Sequence, residues 1–317
     1  MQGVILAAGK GKRLQPFTLT RSKGMAPIVG KPMCARVVDS LIVAGINDFV
    51  VVISPDDAEI KDYFLNTYKS ADKVTFNFVV QDQRLGMAHA LNCAKDYVHD
   101  EFILSAADSL VSSHTIRDLI TTYTNKQSNI VLTLLPVVPE KVSKTGIVQL
   151  DNENNVIKIV EKPKLEDAPS NISSLPLYIF KPLIFDYLPK VPLSARGEYE
   201  LQDAIQMIIN DLGNVSGVMA DYRLDLTTPD DLLKINLKFL AEMKDAVVLS
   251  TVPANCKLVN PVYISENVNI GNGCTIGPNV FLEKDTSVGE GALIKNSVVL
   301  KGSKVESGRV LDNEILM

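Results

Sequence analysis

Short aliphatic runs alternate with amphipathic stretches over the first 138 residues. The runs at 4–6, 49–53, 76–80, 102–104 and 130–135 read as strands that are apolar on both faces. Between them, residues 34–43, 58–68, 88–97 and 116–123 place their apolar side chains at helical spacing. This alternation predicts an α/β fold, a mostly parallel sheet covered by helices on both sides. Ligands in such folds bind beyond the carboxyl ends of the strands, where Gly9 and Asp108 both fall. Residues 146–150 and 156–160 are again strand-like and are joined by polar residues 151–155, which predicts a hairpin. Residues 182–188, 201–212 and 229–243 read as helices. The last of these has Thr227 or Thr228 as its N-cap and Pro229 at its first position.

After Asp245 the pattern changes. An aliphatic residue recurs every six positions: Val252, Leu258, Ile264, Ile270, Ile276, Leu282, Val288, Ile294 and Leu300. Four residues after each stands a small or β-branched residue, from Cys256 and Val262 through Ala292 and Val298, until Lys304 breaks the rule. Hexapeptide periodicity of this kind predicts a left-handed parallel β-helix, one hexad for each side of a triangular coil. The tail after Glu306 leaves the register and is expected to cap it. The chain is therefore expected to comprise domains over 1–245 and 246–317.

Composition narrows the class of protein. The 317 residues carry 32 Lys and Arg against 37 Asp and Glu, a net charge of −5, which argues against general nucleic-acid binding. The four cysteines are scattered without a C-x-x-C pair, as expected of reduced thiols in a cytoplasmic protein. No signal peptide or membrane span is visible, so no membrane partner is expected.

The first apolar strand runs straight into Ala7, Ala8, Gly9, Lys10, Gly11, Lys12 and Arg13. Small residues after a strand let backbone N–H groups approach an anion, and Arg13 and Lys23 add fixed positive charge. The segment is not a P-loop, because Arg13 rather than Ser or Thr follows Gly11-Lys12. Nor is it the dinucleotide fingerprint, because Leu14 stands where the third glycine belongs. The longer pattern G-x-G-x-R-L-x-P-x-T from Gly9, followed by Lys23 and Lys31-Pro32, resembles the sugar-1-phosphate nucleotidyltransferases. Within them it is most similar to the long-form glucose-1-phosphate thymidylyltransferases. The resemblance implies a Rossmann-like nucleotidyltransferase domain in which Ala8, Gly9 and Gly11 wrap a nucleoside triphosphate.

The likeness continues along the chain. Gln81 and Leu85-Gly86-Met87-Ala88-His89-Ala90 resemble the segment that reads the base, with Gln81 pairing to a pyrimidine edge and Gly86 leaving it room. His89 reads as a helix residue near the site rather than a base catalyst. Glu161-Lys162-Pro163 resembles the family's E-K-P, which gives Glu161 the sugar hydroxyls and Lys162 the sugar phosphate, while Gly146 lets the ring approach. Residues 196–205 resemble R-G-E-x-E-x-T-D-A-I, with Gln202 for the usual Thr and acids that shape the site wall. Asp108 and Asp225 fall on the family's two metal carboxylates, which suit magnesium. Departures stand at Ser22, Gly24, Ala107, Tyr222 and Thr227.

The implied reaction transfers a nucleoside monophosphate from dTTP or UTP to a hexose 1-phosphate, glucose 1-phosphate first, with Arg13, Lys23 and Lys162 as the catalytic charges. N-acetylglucosamine 1-phosphate with UTP and mannose 1-phosphate with GTP are alternative pairings. An inactive regulatory paralogue is the alternative in kind. The only histidines, His89, His99 and His114, all precede the repeats, so the repeats are expected to build a homo-oligomer rather than to transfer acetyl groups.

Overall fold

In the computed structural model, residues 1–69 and 73–317 are described, and they divide into two compact units. One comprises Met1–Gly9 with Cys34–Arg223, the other Lys10–Met33 with Leu224–Met317.

The first unit is built on a nine-stranded sheet. Its strands are β1 (Gln2–Leu6), β2 (Asp48–Ile53), β3 (Thr75–Val80), β4 (Phe102–Ala106), β5 (Ile130–Pro136), β6 (Gly146–Leu150), β7 (Val156–Glu161), β8 (Ile172–Phe180) and β9 (Val215–Met219). Its helices are α1 (Met33–Val43), α2 (Ala58–Thr67), α3 (Met87–Cys93), α4 (Ser113–Lys126) and α5 (Leu201–Asp211). Strands β3, β2, β1 and β4 lie side by side and parallel. Beyond them the sheet turns antiparallel, because β8 runs against β4, β5 and β6. The sheet is therefore mixed rather than mostly parallel. The hairpin β6–β7 forms as the sequence predicts, its turn pinned by the Asp151 carboxylate accepting from the backbone of Glu153 and Asn155.

Two strands escape the sequence pattern for identifiable reasons. β8 contains Ser173, Ser174 and Pro176, which interrupt any apolar run. Ser173 donates to the Leu135 carbonyl and Ser174 bonds Tyr178 Oη at 2.6 Å, so the buried hydroxyls are satisfied. Pro176 falls where the pairing with β5 slips between Leu175 and Tyr178, an irregularity that tolerates a missing N–H. β9 has Ser216 and Gly217 at its centre; the former bonds Ser128 at 2.8 Å, and a Cβ at the latter would lie 2.4 Å from Leu134. The segment expected to be a helix at 182–188 is instead a 3₁₀ turn, Pro182–Asp186, followed by another at Leu188–Lys190, where Pro189 cannot continue a helix.

In the second unit the repeats form three ladders of short parallel strands. In the regular part of the stack a rung steps by 18 residues, so Val262 faces Val280 and Lys257 faces Thr275. The periodic aliphatics Ile264, Ile276, Leu282 and Ile294 are fully buried inside, with Val262, Val280 and Val299 in the same core. The tail does not cap the stack. Lys304–Val305, Val310–Asp312 and Ile315–Leu316 add further parallel rungs. The six-residue rule fails already at Ser297, which faces Val280 at a step of 17, and the later pairs Ser287–Lys304, Leu293–Val310 and Val298–Ile315 step by 17 as well. Helix α6 (Pro229–Ala241), closed by a Thr228–Asp231 capping box, packs against Pro27–Ile28 and against the rungs Val280–Leu282 and Ser297–Val299. All four cysteines are free, and among the described residues no helix is long and apolar enough to cross a membrane.

Candidate active site

Strands β1 and β4 are neighbours, but the chain leaves them toward opposite sides of the sheet, which makes their carboxyl ends a topological switch point. Ala7 N–H donates to the Val52 carbonyl and Ala107 N–H to that of Leu6, so Ala8, Gly9 and Asp108 emerge together at this edge. Arg84 Nε bonds the Ala8 carbonyl at 2.9 Å and fixes the turn. A Cβ on Gly9 would meet nothing within 4 Å, so its backbone faces open space.

Gln81 follows β3, its N–H donating to the Ile53 carbonyl. Its side chain is only 4% exposed, and Nε2 donates to the Gly86 carbonyl at 3.3 Å and to His89 Nδ1 at 3.0 Å. The donor end of the amide is thus committed, and Oε1 is the atom left for a ligand. The sequence offered a signal for this pairing in the adjacency of the Gln81 and G-M-A-H-A segments, but not its geometry.

Gly86 has a structural reason of its own. Its φ is +98°, and a Cβ there would stand 2.6 Å from the Tyr199 carbonyl oxygen. The same stretch is knitted to Tyr199 by Tyr199 N–H to Leu85 O and Ala88 N–H to Tyr199 O. Gly86→Ala is therefore expected to cost about 3 kcal/mol and lower the melting temperature by roughly 5 °C or more, as calorimetry would read.

Across the same unit, β6 and β7 bring Gly146 opposite Glu161. A Cβ on Gly146 would lie 3.0 Å from Glu161 Oε2 and 3.2 Å from Gln202 Cγ. The Glu161 side chain is 11% exposed; Oε1 meets Lys162 Nζ at 3.3 Å and Arg196 at 3.6 Å. Oε2 is buried and has no hydrogen-bond partner. Burial pushes the Glu161 carboxyl above the ordinary glutamate range, against the pull of the Lys162 ammonium. Lys162 itself sits at φ +45°, its N–H tied to the Thr145 carbonyl. Arg196 is held by Glu200 at 2.6 Å, and Glu200 also accepts from Ser194. Asp203 is raised as well, by burial and then by the nearby Glu200 charge. Two cations, an orphaned carboxylate oxygen and a glycine floor make a place for a ligand that carries both hydroxyls and negative charge.

In the second unit, Gly11 adopts φ +61° and opens a 3₁₀ turn, Lys12–Leu14. Its carbonyl accepts from Leu14 N–H and Thr18 Oγ1, and a Cβ on it would press to 3.0 Å from Lys23 Cβ. Arg13 is exposed on this turn, and Lys23 begins the next, Lys23–Met25. Asp225 accepts from Thr227 Oγ1 at 3.0 Å. Asp108 and Asp225 are each half-exposed hard oxygen donors. Among the described residues no three His, Cys, Asp or Glu gather to hold a metal.

A Gly-rich turn at a switch point and a charged, glycine-floored recess define an α/β enzyme for phosphorylated ligands. A family model described as nucleotidyl transferase matches residues 2–242, and one described as the GMPPB C-terminal domain matches 258–317. The chain belongs to the nucleotidyl transferase family and is an enzyme of that class. It is 31% identical to the low-salt glycan biosynthesis nucleotidyltransferase Agl11 of Haloferax volcanii, over 99% of this chain and 91% of that one. It is 32% identical to a bifunctional sugar-1-phosphate nucleotidylyltransferase/acetyltransferase of Sulfurisphaera tokodaii, over 96% of this chain and 76% of that one. Among solved structures, UDP-glucose pyrophosphorylase complexed with UDP-glucose superposes with a TM-score of 0.70 at 26% identity, covering 76% of this chain and 99% of that one. A UTP-bound UGPase from Acinetobacter baumannii superposes at 0.68 with 28% identity, over 77% and 94%.

Proposed function

We propose that this enzyme joins a pyrimidine nucleoside triphosphate, UTP or dTTP, to a hexose 1-phosphate, with glucose 1-phosphate the favoured sugar, and releases pyrophosphate. The observation that carries the sugar half is Glu161 Oε2, a buried acceptor without a donor beside the Gly146 floor. A sugar hydroxyl supplies the missing donor. The base half rests on Gln81, whose Oε1 suits the N3–H of uracil or thymine and disfavours cytosine, which has a bare acceptor there. UDP-glucose and UTP in the names of the structural neighbours support the same pairing.

In this reaction a phosphate oxygen of the sugar attacks the α-phosphorus, the α–β bridge breaks, and its electron pair leaves on pyrophosphate. No covalent nucleophile is needed; positioning and charge neutralisation lower the barrier. The backbone of Ala8, Gly9 and Gly11 cradles the triphosphate, and Arg13 and Lys23 offset its charge and that of the leaving group. Lys162 holds the sugar phosphate against like-charge repulsion, and Glu161 orients the ring. Asp108 and Asp225 are the carboxylates for magnesium, which when bound neutralises phosphate charge. The stacked rungs form a left-handed β-helix that assembles subunits. A pyrophosphate-release panel of five nucleoside triphosphates against glucose, N-acetylglucosamine, mannose and galactose 1-phosphates tests the reading. Release is expected with UTP or dTTP only when a sugar phosphate is present. A general preference for purine triphosphates, or for CTP, would overturn the base assignment.

A further inference from the structure

The glycine-rich segment Lys10–Met33 and the stacked rungs belong to one compact unit, although they lie far apart in sequence, the first rung starting only at Val247. Arg21 joins them. Its Nη1 donates to Glu283 Oε1 at 2.8 Å, its Nη2 donates to the Met25 carbonyl at 3.2 Å, and its guanidinium lies over the Phe17 ring at 4.9 Å. Glu283 is 6% exposed, and its other oxygen accepts from Lys301 N–H at 2.8 Å, so both carboxylate oxygens are used and the side chain has one available position. The Met25 carbonyl that Arg21 grips ends the turn that begins with Lys23. Lys23 in turn packs on Gly11, where no side chain would fit without displacing it.

A second fastening lies further along the same segment. Val29, at φ +44°, donates its N–H to Asn236 Oδ1 at 2.8 Å, and Asn236 Nδ2 donates to the Pro27 carbonyl at 3.0 Å. Asn236 is completely buried on α6, the helix that packs on the rungs. Gly30 follows at φ +77°, and a Cβ there would strike Tyr263 of the rung Val262–Ile264. Arg21–Glu283 thus ties the segment to the stack itself, and Asn236–Val29 ties it to the helix that packs on the stack.

From this geometry we infer that the rungs serve the chemistry directly: Glu283 is a positioning residue that, through Arg21, holds the Lys23 turn and the Gly11 loop in the shape that receives the triphosphate. This rests on the proposed reading of that loop. A charge-assisted bond to a buried, doubly engaged carboxylate is a rigid strut, and its loss removes the tether between the Met25 carbonyl and the rungs. The strut also gives anything that distorts the rungs a direct mechanical route to the triphosphate loop.

The test uses the full chain as wild type, Arg21→Lys, Arg21→Ala and Glu283→Gln, with hydrogen exchange measured before any substrate is added. Exchange of the Met25 and Ala26 amides is expected to rise tenfold or more in Arg21→Ala and Glu283→Gln. It should rise less in Arg21→Lys, while β4 and β5 amides stay as in wild type. In turnover, KM for the triphosphate should rise at least fivefold and KM for the sugar phosphate should stay within twofold. Unchanged exchange in segment Lys10–Met33, or an equal rise throughout the molecule, would overturn the strut. A wild type that exchanges as expected across the series but turns over no sugar phosphate would leave the strut standing and remove the transferase reading instead.

Discussion

Replacing Asp108 or Asp225 by Asn is expected to slow turnover about 100-fold or more while leaving the melting temperature within about 2 °C of wild type. An amide keeps the size and shape of a carboxylate and can accept the same hydrogen bonds through its one oxygen. Thr227 Oγ1 donates to Asp225 Oδ2, and an Asn carbonyl can accept that bond equally well. Asp108 lies beyond the last paired residue of β4, at the edge of the sheet rather than within it. What an amide cannot supply is a second anionic oxygen for a hard divalent cation. Both variants should therefore need more magnesium for half-maximal rate. EDTA should abolish wild-type turnover, and added magnesium should restore it. Triphosphate binding without metal should survive in both variants, because the Gly9–Arg13 backbone and Lys23 remain. Turnover assays and thermal melts on the three proteins decide the matter, and full activity in either variant would remove that residue from the metal site.

The contrast between these carboxylates and Glu161 marks how far the sequence was legible. Periodicity located β1 to β4, the helices between them, the hairpin and the rungs, because each is a local pattern of apolar positions. It missed β8, where satisfied serines and an edge-type proline replace the aliphatic run, and β9, where Gly217 is required by a neighbour's side chain. It mistook the tail for a cap because the step shortens from 18 to 17 residues, which ends the six-residue rhythm without ending the stack. The motifs single out Gln81, Gly86, Glu161 and Lys162 but carry nothing of their states. That the Gln81 amide is committed to His89, or that one oxygen of Glu161 is orphaned, depends on partners 8 to 40 positions away. The ties from Arg21 to Glu283 and from Val29 to Asn236 span more than 200 residues, and no local pattern carries them.

Glu161→Gln is expected to weaken sugar-phosphate binding and keep, or gain, stability. Burial raises the Glu161 carboxyl above its ordinary range, more than Lys162 and Arg196 lower it. In the unfolded chain the same group ionises as an ordinary glutamate. The folded protein therefore binds this proton more tightly than the unfolded one. The stability this group contributes is fully present below the ordinary glutamate pKa and is lost as pH rises through the raised one. At neutral pH the ionised side chain is a net cost to the empty enzyme, with one oxygen buried and bare. Glutamine carries the neutral form at every pH. Arg196 keeps its 2.6 Å partner in Glu200, and Lys162 is exposed enough for water to receive its charge. The variant should thus melt at or above the wild-type temperature at pH 7, and the difference should shrink as pH falls toward the ordinary carboxylate range. Its KM for the sugar phosphate should rise roughly 10- to 100-fold, the worth of a hydrogen bond to a charged acceptor, with the triphosphate KM little changed. Melting curves across pH with paired KM measurements would settle it: a variant that melts lower and works normally would make Glu161 a structural residue and take the sugar away from this recess.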